Sequence, residues 1–79
     1  MKSQSKQRAD VLFDTLKREA DPKITSDAAL SRALGLQATN LSRMRRGELD
    51  VGPATIIKIM EAFHLPLPRV RRLLAGKVD

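Results

Sequence analysis

Thr39, Arg43 and Arg46 stand at i, i+4 and i+7, which puts them on one face of a helix. Asn40 and Ser42 flank that face, and Gln37 and Ala38 open it. These residue types bond to nucleic acid: Arg forks onto guanine, Asn pairs with adenine, and the methyl of Thr or Ala meets that of thymine. Leu41 and Met44 point the opposite way. Any one of the polar residues is ordinary on a solvated helix face. As a set, mounted on a short helix with an apolar back, they predict a surface that reads duplex DNA.

The elements that must hold this face lie in residues 26–47, SDAALSRALGLQATNLSRMRRG. Ser26 is a candidate N-cap, and Asp27 suits the positive end of a helix dipole. Leu30 and Leu34 share a buried face over residues 27–34. Gly35 ends that helix, because the residue after a helix often takes a positive φ. Leu36 plugs the turn. The second helix starts at Gln37 or Ala38, runs to about Arg46, and is stopped by Gly47.

The flanking sequence supplies three more helices. Ala9, Leu12, Phe13, Leu16 and Ala20 make an apolar stripe over 5–20, with Asp10, Asp14, Lys17 and Arg18 on the wet side. Pro22 ends this helix. Residues 21–25 link it to the next helix, with Ile24 placed to pack near Leu30. Residues 47–52, GELDVG, form a loop, and Pro53 opens a helix to about Phe63. Ile56, Ile57, Ile59, Met60 and Phe63 make that helix apolar nearly all round, which predicts the central core helix. His64 follows it as a packing or capping residue. Pro68 opens a last helix over 68–75, apolar at Val70, Leu73 and Leu74 and basic at Arg69, Arg71 and Arg72.

Composition narrows the function. The 79 residues make one domain, with a core over 6–75 and loose ends at 1–5 and 77–79. The net charge of +6 points to a polyanionic partner. Lys2, Lys6 and Arg8 form a basic arm that either reaches phosphate or is simply solvated. With no cysteine there is neither a disulfide nor a cysteine-based zinc site. One histidine and no cysteine leave little for a nucleophile–base pair or a metal cluster, so no enzyme, metal, cofactor or small-molecule ligand is expected. Two Phe, no Tyr and no Trp argue against stacking on single strands. No run is apolar enough for a membrane span or a signal segment.

Residues 26–65 resemble the helix-turn-helix domain of Cro/CI-type (XRE-like) phage repressors and regulators. Ser26, Leu30, Gly35, Leu41, Gly47 and the run Ile56, Ile57, Ile59, Met60, Phe63 fall on the family pattern without a gap. The resemblance implies an all-α, five-helix, lambda-repressor-like domain with helices 2 and 3 as the helix-turn-helix. It implies base reading by Gln37, Ala38, Thr39 and Arg43. Contacts to the DNA backbone would come from Ser26, Asn40, Ser42, Arg46 and Lys23. At Asp27 the family often has a phosphate-bonding Gln, a role a carboxylate does not take. At Arg45 many members carry Glu paired to a basic residue on helix 1. Here the signs are reversed, with Glu19 as the expected partner.

The implied protein is a transcriptional repressor in a bacterial cytoplasm or a phage-infected host. It binds an inverted-repeat operator as a homodimer, and Val70, Leu73 and Leu74 of the last helix either form the two-fold contact or complete the core. The competing expectations are an antitoxin-like protein-interaction module and a nonspecific nucleic-acid binder.

Overall fold

The first helix buries more residues than any of the other helices, and the fold is built around it. In the computed structural model, which describes residues 7–77, α1 spans Ala9–Glu19 and buries Ala9, Leu12, Phe13, Thr15 and Leu16. Four helices follow: α2 at Asp27–Leu34, α3 at Ala38–Arg45, α4 at Pro53–Phe63 and α5 at Leu67–Leu74. There is no strand among the described residues. α1 packs on α5 and α3, α2 on α3 and α4, and α4 on α5. The expected basic arm at Lys2 and Lys6, and the tail at 78–79, lie outside the described residues.

Gln7 and Arg8, expected within the first helix, lie outside it, because tertiary bonds hold them off the helical path. The Arg8 N–H donates to the Leu74 carbonyl at 2.6 Å. The Gln7 side chain accepts from the Val51 N–H at 2.8 Å and donates back to the Val51 carbonyl at 3.5 Å. Arg8 is accordingly non-helical, at φ −108° and ψ 65°. The helix stops at Glu19, and Ala20 is extended ahead of Pro22.

α2 forms as its caps dictate. Ser26 Oγ accepts from the Ala29 N–H at 3.1 Å, satisfying one of the orphan donors of the first turn. Past its end, Gly35 takes φ 71°. The Gly35 N–H bonds to the Arg32 carbonyl and the Leu36 N–H to the Ser31 carbonyl, the paired bonds of a Schellman turn. Leu36 then folds back against the core.

Two core expectations are corrected. α4 is not the central helix: only Thr55 and Ile59 are buried on it, Ile56, Met60 and Phe63 are half-buried, and Ile57 is 53% exposed. The centre is already filled by Leu12, Phe13 and Leu16, so α4 covers one side. Val70, Leu73 and Leu74 are 0%, 0% and 8% exposed within a single chain. They close the core, mainly where α5 lies on α1, and are not available as a dimer contact. His64 does cap α4, in the left-handed region at φ 55°.

Candidate nucleic-acid interface

Two residues anchor α3 to the protein. Leu41 is fully buried and Met44 nearly so, and both belong to the main core cluster. The helix turns at ~100° per residue, so the opposite face is forced outward. Gln37, Ala38, Thr39, Arg43 and Arg46 are exposed, and Asn40 and Ser42 are half-buried beside them. The structure therefore brings the expected base-reading set onto one solvent-facing surface. Gln37 is the helix N-cap by position, yet its side chain makes no capping bond, so its amide remains available.

The backbone set divides. Arg46 Nη1 donates to Ser42 Oγ at 2.7 Å, which joins two of its members. Ser26 is exposed but already accepts a hydrogen bond as the α2 cap. Lys23 is exposed in the link before α2, and among the described residues no hydrogen bond or ion pair ties it to the α3 surface.

The rear of α3 is fixed by Arg45. Its Nε and Nη2 fork onto the Asp27 carboxylate at 2.7 and 2.9 Å. Nη2 also reaches Asp14 Oδ1 at 2.9 Å, and the guanidinium carbon lies 5.7 Å from the centre of the Phe13 ring. Lys17 Nζ adds a bond to Asp27 Oδ1 at 3.1 Å. The expected Arg45–Glu19 pair is thus corrected, since Glu19 is bound instead by Arg69 of α5. Partial burial opposes the charge on Asp27, but the hydrogen bonds from Arg45 and Lys17 outweigh it and lower its pKa. The Asp27 carboxylate, from which no phosphate contact was expected, is neutralised from within and pins α2 to α3.

At the far end of α3 the sequence reading missed a partner. Glu48 faces back along the helix. Its carboxylate accepts from Arg46 Nε at 2.9 Å and Nη2 at 3.2 Å, and lies 4.0 Å from Arg43 Nε. The hydrogen bond from Arg46 lowers the Glu48 pKa, and Glu48 raises that of Arg46. The spacing was a usable signal. Gly47 at φ 79° closes a second Schellman turn, in which the Glu48 N–H bonds to the Arg43 carbonyl at 2.9 Å. Such a turn sets the second residue past the helix beside its last turn.

Among the described residues no group of acidic, histidine or cysteine side chains is arranged to hold a metal, and no helix is long and apolar enough to cross a membrane. Compared with protein-family models, curated proteins and solved structures, the chain gives no match.

Proposed function

We propose that this chain is a sequence-specific regulator of transcription that binds double-stranded DNA through α3, with α2 and α3 as a lambda-repressor-like helix-turn-helix. The observation that carries the reading is the exposed face of α3. Thr39 and Arg43 stand outward with Gln37 and Ala38 at its start, while Leu41 and Met44 lock the back of the same helix into the core. A rigid helix of this kind fits the major groove, where side chains distinguish base pairs by their donors, acceptors and methyl groups.

In this reading Arg43, Gln37, Thr39 and the Ala38 methyl read base edges. Arg46, with Asn40 and Ser42 beside it, holds the DNA backbone, which sets register and supplies salt-sensitive affinity. The regulator represses by occupancy, covering a promoter in the bacterial cytoplasm. A homodimer would set two α3 helices about 34 Å apart in successive major grooves of an inverted repeat. The test is selection of bound duplexes from a random pool at near-physiological salt, with the oligomeric state measured in parallel. An enriched inverted repeat is expected. A single enriched half-site removes the dimer, and salt-dependent binding without enrichment replaces the reading with a nonspecific binder.

A further inference from the structure

Glu48 holds the guanidinium that, in the DNA-binding reading, would take a backbone phosphate. A carboxylate and a phosphate both present paired oxygens to the guanidinium fork, and the Glu48 oxygens hold Arg46 Nε and Nη2 at 2.9 and 3.2 Å. Ser42 Oγ takes Nη1 at 2.7 Å. All three nitrogens of Arg46 are therefore engaged in the free protein. The same carboxylate stands 4.0 Å from Arg43 Nε. This placement comes from the backbone: the left-handed Gly47 and the Glu48 N–H bond to the Arg43 carbonyl turn the chain back onto α3. From this arrangement, and resting on the DNA-binding reading above, we propose that Glu48 is an internal competitor for DNA phosphate. It occupies Arg46 and shields Arg43 in the free protein, and it must be displaced before Arg46 grips the DNA backbone.

The geometry suits a reversible competitor. Arg43, Arg46 and Glu48 have side chains 52%, 55% and 53% exposed, and ion pairs so open to water are weak. Glu48 therefore lowers affinity without abolishing it, and it does so for any polyanion that approaches this end of α3. Asp50 provides the control. It lies in the same loop, is exposed, and forms no ion pair among the described residues.

The experiment measures binding of a mixed-sequence duplex by the wild type, Glu48→Gln, Asp50→Asn, Arg46→Ala and the double variant Arg46→Ala/Glu48→Gln, each checked for helical content by circular dichroism. Glu48→Gln is expected to bind about two- to fivefold tighter, the range set by exposed ion pairs. In the Arg46→Ala background the gain is expected to shrink to that of Asp50→Asn, which removes an equal charge without breaking a pair. An equal gain in both backgrounds overturns the proposal, because Glu48 then acts only by long-range repulsion. Weaker binding by Glu48→Gln also overturns it, since Glu48 would then be a support for Arg46. Folded protein that binds no duplex in any of these forms removes the DNA-binding reading itself, and the competitor with it.

Discussion

Arg43 and Arg45 are two positions apart on one helix and have opposite roles. The turn of α3 sends Arg43 into solvent and Arg45 back towards α1 and α2, where 19% of its side chain remains exposed. That division was legible in the sequence as a matter of helical phase. The partner of Arg45 was not, because an ion pair is settled by tertiary distance, and Asp27 lies 18 residues away. Asp14 was on the anticipated helix, but Glu19 was already claimed by Arg69.

On the DNA-binding reading, base reading by Arg43 and backbone contact by Arg46 separate in experiment. Arg43→Ala is expected to cost about 1–3 kcal/mol of binding on the selected sequence and little on random DNA. Arg46→Ala is expected to weaken both and flatten the salt dependence, which competition binding at several salt concentrations would read. Equal losses on both DNAs for Arg43→Ala would reduce it to a phosphate contact.

Asp27 makes a prediction about acid. Its folded pKa lies below the ordinary value of 3.8, so the folded state binds its proton less readily than the unfolded chain. Its stabilisation is complete above that value and is lost as pH falls through the lower folded pKa. Thermal melts across that range should show a smaller acid loss for Asp27→Asn than for the wild type. Parallel losses would mean that the pair with Arg45 contributes nothing.

At the level of elements, local chemistry was the more readable part. Helix ends at Ser26, Gly35, Gly47 and Pro53 follow from cap and backbone preferences that act within a few residues. The rank of helices in the core was misread, because an apolar helix names its possible contacts without choosing among them. α4 is apolar on several sides, yet α1 fills the centre, so Ile57 is left outside while Ile59 is fully buried. Ile59→Ala is expected to cost about 2–5 kcal/mol of stability and Ile57→Ala roughly 0.5 kcal/mol or less, as measured by denaturant unfolding. Similar costs at both positions would contradict the placement of α4.

The same ambiguity, at the scale of the whole molecule, explains the misassigned face of α5. Val70, Leu73 and Leu74 fit either core or interface by sequence, the interface was the expectation, and in this chain of 79 residues the core takes them. A small domain buries a modest share of its surface and has few apolar side chains to spare. Leu73→Ala should therefore lower stability by about 2–5 kcal/mol, with an unfolding midpoint shift that is the same at high and low protein concentration. A shift that grows as the protein is diluted would restore α5 to an intermolecular role.

The clasp between Gln7 and Val51 has a consequence for how binding is paid for in entropy. The loop after α3 has its buried end at Val51, whose N–H and carbonyl are both held by the side chain of Gln7. A loop fastened in this way has already surrendered its freedom during folding. Association then orders few further dihedral angles in the protein, and preorganisation of this kind favours affinity by removing a cost rather than adding a contact. On the DNA-binding reading, heat and entropy of binding would thus chiefly report released ions and water, while the protein backbone stays a nearly silent partner.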